Sequence, residues 1–364
     1  MLTALEGYAG TMTTTTRSNW MLYGAYGATG RLILEEALRR GHRPVLAGRD
    51  RAQLAALAQA TGLSTLTLPL DEGAALRAAL SGVRCVLLAA GPYSRTGQPM
   101  RAACLDTGCS YLDINGELED FSLALTCDAA ARAAGIAILP GAGYGVVFAE
   151  CLAAHVARRA PGATWLRLSL ATQTAGRSRG ATLSTAGAMA AGGRDIDRGV
   201  LRTRAIASPT WRTPADRSGT RFAAAPLAEL VAAHRSTGVP SIVAGIPMSR
   251  AAAAFVRLTG PWLGKVLARQ GARLSSSVAS AASDATLTTL RSRVWAEAGD
   301  TTGTTAVAVL ETGEGYRAAA GAAVHALELQ LQEPRVGALT PVQAFGAEFA
   351  LLVPGTRIQE IERR

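Results

Sequence analysis

Six short apolar runs, each followed by a stretch with another period, fill residues 20–141 and leave few folds open. The runs are "WMLYGA", "PVLAG", "STLTLPL", "VRCVLLAAG", "SYLDI" and "IAILPG". Between them stand "GRLILEEALRRG", "DRAQLAALAQATG", "DEGAALRAALSG", "GQPMRAACLDTG" and "LEDFSLALTCDAAARAAG", whose apolar residues recur at helical spacing. Strands that are apolar throughout are buried on both faces, so the sheet is parallel and covered by helices on both sides. Right-handed crossovers then make it a doubly wound α/β sheet of the Rossmann type.

The first strand-to-helix turn carries Gly24, Gly27 and Gly30, spaced G-x-x-G-x-x-G. Tyr26 stands where the commoner dinucleotide fingerprint has its second glycine. The physical demands are those of a phosphate turn: a tight bend, close backbone approach and a helix N-terminus facing an anion. Ala28 and Thr29 open that helix. The other reading is a merely structural turn, but its place at the head of a βαβ unit favours cofactor binding.

"PVLAGRD" then puts Arg49 at the end of the second strand, where NAD-specific folds carry an acid for the ribose 2′-hydroxyl. Arginine suits the 2′-phosphate of NADP(H), so NADP(H) is the expected cofactor. Asp50 is the competing ribose ligand, and its other role is a helix cap.

Three further loops follow strand ends. Gly91, Pro92 and Tyr93 succeed the fourth strand, on the side where the nicotinamide half lies. Tyr93 is expected to bond the cofactor, to donate a proton, or to pack on the sheet. Asp113, Asn115 and Glu117 alternate in "YLDINGE", so they share one side of the fifth strand's end. Asp113 is a catalytic candidate, whereas Asn115 reads rather as a helix entry. Tyr144, between Gly143 and Gly145, faces either substrate or the packing between domains.

The pattern changes after about Gly145. "TWLRLSLATQT" alternates like a half-exposed strand, and "LRSRVWAEAGDTTGTTAVAVLETG" reads as a hairpin. "LSTAGAMAAGG", the alanine-rich 248–282 and "YRAAAGAAVHALELQL" read as helical. The expected organisation is a flexible tail over 1–18, an NADP-binding domain over 19–144 and a mixed-sheet α+β substrate domain over 145–312. Residues 313–364 are expected to pack back on the first domain.

Composition removes several functions. The net charge is +10, and of 37 basic residues only Lys265 is a lysine. The arginines are spread rather than clustered, so no nucleic-acid surface is expected. A basic surface could still steer an acidic partner. With Pro261 four residues before Lys265, the chain has no YxxxK pair, and it has no GxSxG elbow or phosphate-binding Walker loop. The five cysteines form no CxxC, so no metal site is expected, and the thiols read as reduced and buried in a cytoplasmic protein. No signal peptide or transmembrane segment is expected: 133–149 contains Pro140 and four glycines and is too short to span.

Taken together, "YGAYGATGRLILEEAL", "PVLAGRD", "AAGPYSRTGQPMRAACLDTGCSYLDINGE", "ILPGAGYG", "ELVAAHRSTGVPSIVAGIP" and "LTPVQAFGAEFALLVPG" resemble the saccharopine dehydrogenase-like oxidoreductases, which include trans-acting enoyl reductases. The resemblance implies an NADP-binding Rossmann domain followed by a substrate domain on a mixed sheet. It implies reduction of conjugated enoyl groups, or oxidation or reductive formation of C–N bonds. The expected substrate is a small molecule or an acyl group on a carrier, and a homo-oligomer is left open. An NADP-binding regulator without turnover is the alternative outside enzymology. The alanine-rich, acid-poor second domain favours an acyl substrate, hence C=C ahead of C=N.

Overall fold

The computed structural model describes residues 19–174, 188, 191–213, 216, 218–270 and 289–361. The expected tail over 1–18, most of "LSTAGAMAAGG" and the stretch after 270 lie outside the described residues.

The first half is built as the apolar runs require. Its elements are β1 (Trp20–Tyr23), α1 (Ala28–Arg39), β2 (Val45–Gly48), α2 (Arg51–Thr61), β3 (Thr65–Thr67), α3 (Gly73–Leu80), β4 (Cys85–Leu88), α4 (Tyr93–Thr107), β5 (Ser110–Asp113), α5 (Leu118–Leu125), α6 (Asp128–Ala134), β6 (Ala137–Leu139) and α7 (Tyr144–Arg159). Every residue of β1, β4 and β5 is buried, which is why these strands carry no polar alternation.

The "LEDFSLALTCDAAARAAG" segment forms two helices rather than the expected one. The Thr126 hydroxyl turns back to the Leu123 carbonyl at 2.7 Å, and Cys127 N–H bonds the Ala124 carbonyl three residues back. That tightens and closes α5. Helix α4 starts four residues before the expected glycine, because Glu117 caps its first N–H groups from outside, as described below.

The second half comprises β7 (Trp165–Ala171), β8 (Gly193–Asp197), β9 (Val200–Arg204), β10 (Thr210–Arg212), β11 (Arg221–Ala224), α8 (Glu229–Thr237), β12 (Ser241–Pro247), α9 (Arg250–Gln270), β13 (Ser292–Asp300), β14 (Gly303–Thr312), α10 (Gly315–Gln332), β15 (Gly337–Ala338), α11 (Pro341–Phe345) and β16 (Arg357–Glu360). The expected hairpin is β13–β14, paired antiparallel with a bulge at Ala298–Gly299.

Two sheets result. The first has the order β15-β6-β5-β4-β1-β2-β3 with every pair parallel. Its order reverses between β1 and β4, the switch point of a doubly wound sheet. The second runs β10-β11-β12-β7-β13-β14-β16, and is mixed because β12 and β7 are parallel while their neighbours are antiparallel.

Helix α7 lies between the sheets. Val147, Phe148, Cys151 and Leu152 are wholly buried in one core with Ile33 of α1, Leu168 of β7 and Val324 of α10. Residues 313–361 serve both sheets: α10 packs on α1 and α7, β15 extends the first sheet beside β6, and β16 extends the second beside β14.

Candidate functional site

The three turn glycines do three different jobs. Gly24 has φ +87°, and a Cβ there would stand 2.9 Å from the Ala90 Cβ and 3.0 Å from the Ala89 backbone. It bends the chain and lets the end of β1 lie against the end of β4. A Cβ on Gly30 would fall 2.1 Å from the Gly24 carbonyl oxygen, so Gly30 sets how closely α1 approaches the turn. Gly27 is half-exposed and stands at the N-cap of α1 with no side-chain cap. The first-turn N–H groups of Ala28 and Thr29 therefore have no intrahelical acceptor, and they lie at a surface open to an anion.

Tyr26 spans from this turn to the end of β2. Its ring lies against Gly48, where a Cβ would be 2.5 Å from the ring. Its hydroxyl accepts the N–H groups of Arg49 and Asp50 at 3.1 and 3.2 Å. The Asp50 carboxylate accepts Gln53 N–H at 3.1 Å and caps α2. Arg49 is exposed beside it. A second guanidinium comes from Arg31, which donates to the Tyr26 carbonyl and to the Gln53 side chain, each at 3.1 Å. Sequence reasoning passed over Arg31 because one arginine among 36 carries no signal of its own.

The end of β4 continues through Ala89, Ala90, Gly91 and Pro92. Gly91 is exposed, and a Cβ there would have nothing nearer than 3.7 Å. Tyr93 turns the other way. It is 7% exposed, and its hydroxyl donates to the Leu88 carbonyl at 3.3 Å. Burial pushes its phenol well above the ordinary range. This is the packing role, not the expected proton donor at a cleft.

The "YLDINGE" acids also turn inward. Asp113 is wholly buried and accepts the Tyr111 hydroxyl, Asn115 N–H at 2.9 Å and Gly141 N–H at 2.7 Å. Burial pushes its carboxyl up more than those three bonds pull it down, leaving it at about 6. Asn115 accepts Glu117 N–H at 2.7 Å and donates to Asp120 at 2.8 Å. Asp120 in turn holds Arg101 through two bonds of 2.7 and 2.9 Å. Asp113, expected as a catalytic candidate, is thus placed away from the surface, tying β5 to the turn at Gly141. Only Glu117 remains near the strand-end edge, where its carboxylate accepts Tyr93 and Ser94 N–H at 2.9 and 3.0 Å.

Tyr144 opens α7, stacked obliquely on Phe148 with ring centroids 5.2 Å apart. It is 8% exposed, and its hydroxyl lies close to the Thr172 and Ser292 side chains. Burial pushes that phenol up. Glu229, the first residue of α8, lies so close that a Cβ on Gly145 would meet its Oε1 at 2.2 Å. Glu229 Oε2 is buried without a partner, and burial pushes the carboxyl up to about 7. Sequence reasoning missed Glu229, because a lone acid in an amphipathic helix reads as solvated. A bridge between Glu117 and Leu227 fixes α8 to the end of β5.

The carboxyl ends of β2, β1, β4 and β6, in sheet order, thus carry Arg49, the glycine turn, Gly91 and Tyr144. An extended ligand with a phosphate-rich middle fits this line. The open first turn of α1 and the wall-free Gly91 give it backbone approach, and the two guanidiniums give it an anionic end.

The NAD(P)H-binding family pattern matches residues 24–137. A putative trans-acting enoyl reductase of Mycobacterium tuberculosis is 38% identical over 114 residues, covering 29% of this chain and 27% of that protein. A probable mitochondrial saccharopine dehydrogenase-like oxidoreductase of Arabidopsis thaliana is 30% identical over 115 residues, covering 27% and 25%. Over these stretches the chain is similar to trans-acting enoyl reductases and saccharopine dehydrogenase-like oxidoreductases. It carries their NAD(P)H-binding domain, and it spans about a quarter of the length of these curated relatives.

The solved saccharopine dehydrogenase (L-Glu forming) of Saccharomyces cerevisiae shares the fold. Its TM-score is 0.59 at 12% identity, covering 94% of this chain and 99% of that one.

Away from this line, two histidines are held in contacts within the fold. His325 lies against the Arg40 guanidinium at 2.8 Å, and His234 bonds the Val239 carbonyl at 3.0 Å. All five cysteines are free thiols, four of them buried. Among the described residues no cluster of His, Cys, Asp and Glu could hold a metal, and no helix is long and apolar enough to cross a membrane.

Proposed function

We propose that this chain is an NADPH-dependent reductase of a polarised double bond, with the conjugated C=C of an acyl chain ahead of C=N. The observation that carries the cofactor half is at the end of β2. Asp50 is spent as a helix cap, while the Arg49 guanidinium stands exposed, with Arg31 beside the same turn. An acid is what NAD binding needs there, and a cation is what a 2′-phosphate needs. The M. tuberculosis relatives at 38% and 35% identity, named putative trans-acting enoyl reductase and trans-acting enoyl reductase, support the enoyl half.

Reduced NADPH supplies a hydride when bound. The chain's own residues bind and orient. The N–H groups of the first turn of α1 would hold the pyrophosphate, Arg49 and Arg31 would hold the 2′-phosphate, and Gly91 would leave room for the nicotinamide end. Tyr144 would hold the proton that the saturated product requires, with the unpartnered Glu229 Oε2 behind it. Neither YxxxK nor a metal cluster is needed, because a conjugated thioester carbonyl already polarises its double bond.

The test follows NADPH absorbance with an enoyl thioester, then with an α-keto acid plus an amine. Turnover with the thioester supports the proposal. Turnover with the keto acid and amine alone replaces C=C by C=N, and tight NADPH binding with no turnover on either makes the chain a regulator.

A further inference from the structure

Helix α9 presents a ridge of large apolar side chains to solvent. Phe255, Leu258 and Trp262 are 58%, 85% and 71% exposed, spaced i, i+3 and i+7 so that they share one face. Ala253 and Gly260 are buried about half a turn away, and Ala253 packs with Ala207 and Ala223. Arg257 fastens the helix to the body through the Ala207 carbonyl at 3.0 Å. The ridge is thus a side that none of the described residues covers. Isolated exposed leucines are ordinary, but three bulky residues in line on one helix face mark an interaction surface.

The charge around this ridge is of one sign. Arg250 and Arg257 stand on its described part, and residues 250–270 include no acid in sequence. At its foot lies an open cavity of about 610 Å³ bounded by Arg212, Arg221 and Arg250 with Thr220 and Ser249. No acid lines that cavity, and none of those three arginines forms an ion pair among the described residues. Three guanidiniums with two hydroxyls suit a phosphate.

We propose that the outer face of α9 and the arginine-lined cavity at its foot form a docking surface for an anionic phospholipid bilayer. Lipid phosphates enter the cavity, and the helix lies in the interface plane with Phe255, Leu258 and Trp262 inserted among the acyl chains. A bilayer is favoured over a protein partner by shape. Leu258 stands proud, and a projecting ridge buries itself in a deformable medium without a matching groove. Tryptophan beside cations is the composition of interfacial helices. The inference is independent of the reductase proposal.

The full chain is floated with vesicles of phosphatidylcholine alone or mixed with phosphatidylglycerol. Two variants accompany it. Leu258→Ser/Trp262→Ser leaves the charge unchanged, and Arg212→Gln/Arg250→Gln leaves the ridge unchanged. The wild type is expected to float only with the anionic vesicles. Each variant is expected to lose about tenfold in partitioning, the effect of about 1.4 kcal/mol. Brominated lipids are expected to quench the wild type more than Trp262→Phe.

Equal flotation of the serine variant would reduce the effect to unspecific charge attraction and overturn the proposal. So would no flotation at all, or a ridge whose loss weakens binding to an acidic carrier protein but not to vesicles.

Discussion

Replacing Arg101 with Met should cost this protein most of its stability, although Arg101 touches no element of the cofactor line. The Arg101 and Asp120 side chains are each 4% exposed and share two bonds of 2.9 and 2.7 Å. Asp120 has one other side-chain donor, Asn115 at 2.8 Å, and Arg101 lies over the Tyr111 ring at 5.7 Å. Gly97 is packed against the pair so tightly that a Cβ would fall 2.5 Å from Arg101 Nη1. Arg101→Met therefore strands a carboxylate in a dry site with a single donor, at a cost of about 3–5 kcal/mol. Asp120→Asn strands the guanidinium at a similar cost.

Removing both charges in Arg101→Met/Asp120→Leu gives up one bond to Asn115 and the ring contact. Each of those is worth about 1 kcal/mol, so the double variant loses about 2 kcal/mol. The singles sum to about 6–10 kcal/mol, which leaves a coupling of at least about 4 kcal/mol. Urea unfolding followed by far-ultraviolet circular dichroism measures all four corners of the cycle. Single variants costing under about 1 kcal/mol, or costs that add up to the double, would refute the buried network as the tie between α4, α5 and β5.

Three other outcomes are expected. Arg49→Ala should weaken NADPH about ten- to a hundredfold and leave NADH unchanged in a two-cofactor titration; Tyr26→Phe, which frees the Arg49 and Asp50 N–H groups, should weaken NADPH several-fold. Gly27→Ala places a Cβ 3.2 Å from the Gly24 oxygen and should fold, with weakened dinucleotide binding, whereas Gly30→Ala meets that oxygen at 2.1 Å and should lower the melting temperature instead. Burial raises Glu229 to about 7, so the folded state keeps a proton that the unfolded chain releases near 4.5. Its burial then costs nothing at pH 4 and up to about 3 kcal/mol above pH 7. Glu229→Gln should match wild type in denaturant at pH 4 and exceed it at pH 8.

The first sheet was legible because its strands are buried on both faces, which writes continuous apolar runs into the chain, and the crossover rule then orders them. The cofactor turn was legible for a related reason: Gly24 and Gly30 are demanded by backbone contacts that no other residue satisfies. Side-chain direction was not legible. Asp113 and Tyr93 sit at strand ends as expected, yet both turn inward, because their partners Gly141 and Leu88 are fixed by tertiary structure. Glu229 and Gly145 are 84 positions apart in sequence, and nothing local announces that they meet. The two residues of β15 are too few to carry any period. The second domain was expected to suit an acyl chain, but in the described part of its alanine-rich stretch Phe255, Leu258 and Trp262 face outward while Met248 and Val256 pack inward.

Strand β15 has a consequence for the order of events at the ribosome. Gly337 and Ala338 close the edge of a sheet whose other strands end at Leu139. Nearly two hundred residues of a different sheet are made in between. A nascent chain that has emerged only to α7 therefore exposes the rim of β6, while the flank of α1 awaits α10. Until residues 315–338 arrive, that rim is a ready template for pairing with a neighbouring chain. A fragment cut at 144 inherits the same bare rim permanently. Excising the cofactor domain for separate study thus calls for grafting 315–338 back on, or for a circular permutation that makes the two pieces contiguous.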